Sequence, residues 1–166
     1  NDTQELSEQI RYYSNLILQN AQKLHQVLDN LIYLSRLESG ELNIKTNQVE
    51  IYSFLDEFFE GFNETHQKSS VFLELKKDRK YNQFTIDTDE TLLNKVLENL
   101  AQNAFNYTSE GKIRIGFDID EYRKQIRFYV SDTGIGIPLE SQFKIFQNFV
   151  TLEDPYDGQY SGSGLG

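Results

Sequence analysis

Three short segments concentrate the residues able to do chemistry. In NLAQNAFNYT, Asn99 and Asn103 stand four apart, so on a helix their carboxamides lie one above the other. In SDTGIGIP, starting at Ser131, one carboxylate, Asp132, sits beside Gly134 and Gly136, whose missing side chains allow positive φ and close backbone approach. In SGSGLG, starting at Ser161, glycines recur at 162, 164 and 166. Taken singly, each segment has a plain structural explanation: a solvated helix face, a turn and a flexible tail.

Other chemistries are poorly served. His25 and His66 are 41 positions apart in a chain without cysteine, which makes no zinc site, and both are expected to be ordinary surface residues. Neither disulfides nor thiolate sites are possible, which suits a reducing cytoplasm. A formal charge of −10 opposes nucleic-acid binding, which needs clustered Lys and Arg. No apolar run approaches the roughly 20 residues that span a bilayer, so no membrane contact is expected of this chain. An anchor of a parent protein in the inner membrane stays open.

These segments must be held by regular elements. Leu6, Ile10, Tyr13, Ile17, Leu24, Val27, Leu31 and Leu34 alternate in fours and threes, interrupted by Asn20, and Gly40 supplies a C-terminal cap. The pattern predicts an amphipathic helix over 7–38 whose stripe must be covered by partner helices. Residues 42–44 read as extended, 51–67 as a second helix, and 71–75 and 84–86 as strands. Asp87 to Glu90 offers an N-cap and first-turn acids to a third helix. On it, Leu92, Leu93, Val96, Leu97, Leu100 and Ala104 form a core face, with Asn99 and Asn103 on another. Residues 112–118 and 125–131 read as a hairpin. Helices and strands mix without a βαβ rhythm, which favours α+β.

As an ordered set, the three segments resemble the ATP-binding boxes of bacterial two-component sensor histidine kinases. The resemblance extends to Lys23–Leu42, KLHQVLDNLIYLSRLESGEL, which is similar to the second dimerisation helix and its exit, and to FKIFQNF at 143–149, which is similar to the phenylalanine box before the ATP lid. It implies two parts: residues 1–40, the second helix of the dimerisation and phosphotransfer hairpin, and residues 41–166, a catalytic ATP-binding domain cut at the second glycine box. The implied fold is α+β, a long helix followed by a Bergerat-type two-layer sandwich of mixed sheet on helices.

The resemblance also implies roles. Asn103 gives its oxygen to the Mg²⁺ that bridges the ATP phosphates, as suits a hard cation. Asn99 orients the reacting groups, and Asp132 accepts from the adenine amino group. Tyr107, Gly134, Gly136, Gly162, Gly164 and Gly166 complete the ATP site. The cofactors are ATP and Mg²⁺. The partners are a second copy, through a helical bundle, and a response-regulator receiver domain. The implied reaction transfers the γ-phosphate to a histidine upstream of Asn1, so the isolated chain is expected to be inactive.

Two residue choices depart from the family pattern. Asn106 stands where lysine is frequent, and residues 150–166 carry no Lys or Arg. They leave open a degenerate nucleotide-binding module without transfer. An ATP hydrolase of the gyrase and mismatch-repair type is the other alternative, but its base Glu would have to replace Asn99. The adjacent Glu98 lies about 100° around the helix.

Overall fold

The computed structural model describes residues 2–81 and 83–147. The described residues divide into two units, 2–43 with 145–147, and 44–81 with 83–144.

In the first unit, α1 runs over Asp2–Glu38, longer at its start than the apolar pattern suggests. Its end is a Schellman cap. Gly40 takes φ +70, and the Glu41 N–H reaches the Arg36 carbonyl at 3.0 Å. The stripe residues Ile10, Tyr13, Ile17 and Leu24 are exposed, with Leu28 and Ile32 widening the apolar face. Asn20 donates to the Leu16 carbonyl at 2.7 Å.

The second unit runs β1 (Asn47–Glu50), α2 (Ile51–Thr65), β2 (Val71–Lys76), β3 (Thr85–Thr88), α3 (Glu90–Tyr107), β4 (Gly111–Asp120) and β5 (Gln125–Asp132). Short β1 pairs antiparallel with β3. The larger sheet has the order β2-β4-β5, with β2 parallel and β5 antiparallel to β4. It is the expected α+β two-layer arrangement with a mixed sheet.

Alternation along β4 builds the layers, because successive side chains leave a strand on opposite faces. Ile113, Ile115 and Phe117 are buried against Ile51, Phe54, Leu55, Phe58 and Phe62 of α2 and Leu97, Ala101 and Ala104 of α3. Buried side chains of this size contribute about 1.5–3 kcal/mol each. On the opposite face, Gly116 is paired with Tyr129, whose ring occupies the space a Cβ would need. Arg114 Nε meets Glu74 Oε2 across the strands at 2.9 Å.

Two expectations are corrected. The extended stretch at 42–44 is irregular, and the strand lies at Asn47–Glu50, where Val49 is buried and β3 supplies a partner. On α3, Val96 and Leu100 are exposed, because the core takes the row Leu93, Leu97, Ala101 and Ala104 instead. At 100° per residue, Val96 and Leu100 fall on the same side of the helix as Asn99 and Asn103.

Asp89 fixes the start of α3. Its carboxylate accepts from the Lys45 N–H at 2.8 Å and caps the Leu92 N–H at 3.1 Å. The Lys45 N–H first, then the Leu92 N–H, hold this carboxyl below its ordinary pKa. The unfolded chain therefore takes the proton first, and the carboxylate's stabilising effect is lost as pH falls below about 4. Asp89→Asn should flatten the acid limb of a urea-denaturation stability profile below that pH while leaving the neutral and mildly alkaline range parallel to wild type.

Candidate nucleotide site

The loop after β5 is fastened to the carbonyl end of α3. Asp132 Oδ1 accepts the Gly134 N–H at 2.9 Å, closing an Asx turn. The next N–H, from Ile135, goes to the Tyr107 carbonyl at 3.3 Å. Thr133 ties the turn to the sheet: its N–H reaches the Lys112 carbonyl at 3.1 Å, and its hydroxyl accepts from the Lys112 N–H at 3.0 Å. Glycine is required at 134, since a Cβ there would run into the Tyr107 carbonyl oxygen. Gly136 takes φ +71 and faces open space.

One turn before Tyr107, Asn103 is exposed, and Asn99 is half-buried a further turn back. The structure therefore gathers Asn99, Asn103, Tyr107, Asp132, Gly134 and Gly136 around the C-terminal half of α3. The expected contributions of Gly162, Gly164 and Gly166 lie outside the described residues, as do residues 148 and 149 of the phenylalanine segment. Of that segment, Phe143 and Phe146 are exposed.

The turn and the Asn column carry unused hydrogen-bonding capacity. Among the described residues, Asn103 and the second oxygen of Asp132 have no hydrogen-bond partner. Thr108 is fully buried, yet its hydroxyl has no partner and lies 2.9 Å from where a Gly134 Cβ would stand. Buried polar atoms are rarely left unpaired, so this hydroxyl fits a bound polar group or water at the floor of the turn. The donor set suits a purine with its phosphates: a carboxylate for an exocyclic amine, and an amide oxygen for a hard cation. Among the described residues, no cluster of His, Cys, Asp or Glu is arranged to hold a metal.

Residues outside the sequence expectation also take part. Thr108 and Thr133 lie inside the boxes but are not among the residues the resemblance assigns to the site. His66 is not an ordinary surface residue: it is half-buried, stacked on Phe62 at 4.1 Å, with Nε2 2.7 Å from Gln102 Oε1. The run of phenylalanines in α2 and Phe105 of α3 build that setting. His25 is exposed, 2.9 Å from Asp29 one turn on. Glu98, the residue a hydrolase would need in register, is exposed and adjacent to the half-buried Asn99.

Residues 88–166 match the family model of histidine kinase-, DNA gyrase B-, and HSP90-like ATPases. Curated sensor kinases are similar over most of the chain. The autoinducer 2 sensor kinase/phosphatase LuxQ of Vibrio vulnificus (strain YJ016) is 29% identical over 160 residues, which are 92% of this chain and 18% of that protein. The sensor histidine kinase WalK of Bacillus subtilis (strain 168) is 25% identical over 153 residues, 91% of this chain and 24% of that one. The chain thus spans about a fifth of the length of these relatives. The crystal structure of histidine kinase ThkA in complex with the response regulator TrrA superimposes with a TM-score of 0.67 at 27% identity, covering 84% of this chain and 40% of that one. Among the described residues, no helix is long and apolar enough to cross a membrane.

Gly134→Ala should drive the turn off the end of α3, at a cost of about 1–3 kcal/mol for forced overpacking. Chemical denaturation checks the cost, and a midpoint equal to wild type would contradict the tight packing.

Proposed function

We propose that residues 41–166 are the ATP-binding, phosphoryl-donating domain of a sensor histidine kinase, and that residues 1–40 are the second helix of its dimerisation hairpin. The observation that carries the reading is the junction of the Asp132 turn with the C-terminal turn of α3. It puts a carboxylate and a column of amides at one place. The relatives' names support it, as does the similarity to ThkA, solved with a response regulator.

In this reading Asp132 accepts the adenine amino group, and Gly134 and Gly136 keep side chains away from the base. Asn103 would hold a Mg²⁺ ion, which when bound neutralises charge on the phosphates. Asn99, one turn earlier, orients the reacting groups. Gly162, Gly164 and Gly166 belong to the lid. The acceptor is a histidine of the companion dimerisation helix, and the phosphoryl group passes on to a response-regulator aspartate. Positioning and charge neutralisation supply the catalysis.

Calorimetry tests the site. Asp132→Asn should weaken ATP and ADP alike, by roughly ten- to a hundred-fold, the worth of a hydrogen bond to a charged group. Asn103→Ala should remove most of the Mg²⁺ dependence of binding and leave adenosine affinity as it was. Unchanged affinities in both variants would refute the assignment.

The exposed stripe of α1 supports assembly with a second copy. Ile10, Ile17, Leu24 and Leu31, flanked by Leu28 and Ile32, are wider than a two-stranded seam and suit a four-helix bundle. Leu24→Asp in the hairpin-containing protein should convert a dimer into monomers or aggregates in sedimentation velocity. A clean dimer would place the stripe in some other contact.

A further inference from the structure

Lys68 is half-buried in the short loop between α2 and β2. Its ammonium donates to the Phe105 carbonyl at 2.6 Å and to the Thr108 carbonyl at 3.2 Å, and stands 4.3 Å from the centroid of the Phe105 ring. These bonds have one direction, since an ammonium only donates and a carbonyl only accepts. Ser70 adds two ties to the same stretch. Its hydroxyl donates to the Ser109 carbonyl at 2.6 Å, and its own carbonyl accepts the Gly111 N–H at 2.9 Å.

The two carbonyls that Lys68 holds bracket Tyr107. The last carbonyls of a helix have no partner within it, and a cation there meets both these open acceptors and the negative end of the helix dipole. Between the two pinned groups, the Tyr107 carbonyl takes the Ile135 N–H at 3.3 Å. Gly134 rests against the same oxygen with no room for a Cβ, and its N–H closes the turn on Asp132 Oδ1 at 2.9 Å. A shift of residues 105–108 is therefore passed directly to the Asp132 turn. The ammonium sets the carbonyls, the carbonyls set the turn, and the turn sets the carboxylate.

Resting on the nucleotide reading above, we infer that Lys68 is a positioning residue for the base-reading half of the site, which holds the Asp132 carboxylate in place through the peptide groups around Tyr107.

The test is calorimetry of the whole chain with adenosine, ADP and ATP, with thermal melts to verify that each variant is folded at the assay temperature. Lys68→Met keeps a chain of similar length and removes the charge and the donors. It should weaken adenosine, ADP and ATP alike, by roughly five-fold or more. Uncharged adenosine separates positioning from a long-range pull of the lysine on phosphate. In an Asp132→Asn background, the same change should alter ATP affinity by less than about two-fold, because the group it positions is already disabled. A merely structural role would give the full loss in both backgrounds. Lys68→Gln, which keeps an N–H donor for one carbonyl, supplies the same cycle if the methionine variant melts below the assay temperature. Wild-type adenosine affinity in the folded Lys68 variant, a loss confined to ADP and ATP, or a loss undiminished by Asp132→Asn overturns the inference. A wild-type chain that binds neither adenosine nor ATP, or binds them indifferently to Asp132→Asn, overturns the nucleotide reading, and this inference with it.

Discussion

The packing of α3 on the β4 and β5 pair is the constraint from which the rest follows. Ala101 and Ala104 are small enough to bring the helix axis close to Ile113 and Ile115, with Leu97 filling the space beside them. That contact fixes the helix both in rotation and along its length. Rotation decides that Asn99, Asn103 and Asn106 lie away from the sheet. The axial position decides that the Tyr107 carbonyl ends where Ile135 can reach it. A larger residue at 101 or 104 would push the helix outward and spoil both settings together.

Much of this was legible in the sequence because the decisive signals are local. Gly40 as a cap, the acids from Asp87 to Glu90 and the alternation in β4 and β5 each act within a few residues. The N-cap and Schellman geometries appear where those residues stand. The roles expected of Asn99, Asn103 and Asp132 came instead from the family resemblance, since spacing and type alone also allow a solvated helix face and a turn. Less legible was which of two apolar rows on α3 would be buried. Val96 and Leu100 are as hydrophobic as Leu93 and Leu97, and only the position of the sheet chooses between them. The short β1 was hidden for the same reason, since Asn47–Glu50 is a strand only because β3 lies alongside.

His66 shows the opposite limit. In the sequence it is a lone histidine between Thr65 and Gln67, without a motif. Its role arises from an aromatic pocket built by Phe62 and Phe105, and from a glutamine 36 positions away. Long-range polar contacts of this kind leave no periodic trace. Lys68 is similar: it donates to the Phe105 and Thr108 carbonyls at 2.6 and 3.2 Å, capping the end of α3 from a neighbouring loop. The end of the key helix is therefore secured from two directions, by a cation on one side and by the Ile135 N–H on the other.

The strand order β2-β4-β5 has a kinetic consequence. Strands β4 and β5 are joined across residues 121–124, so their ladder closes a short loop and forms on the microsecond scale of hairpins. Parallel pairing of β2 with β4 must wait for residues 77–110 to be gathered in, β3 and α3 included. The entropy of that closure grows only slowly with loop length, but it must be met before any β2 contact repays it. The hairpin and α3 thus form the early template, and β2 is the last strand of the sheet to zip.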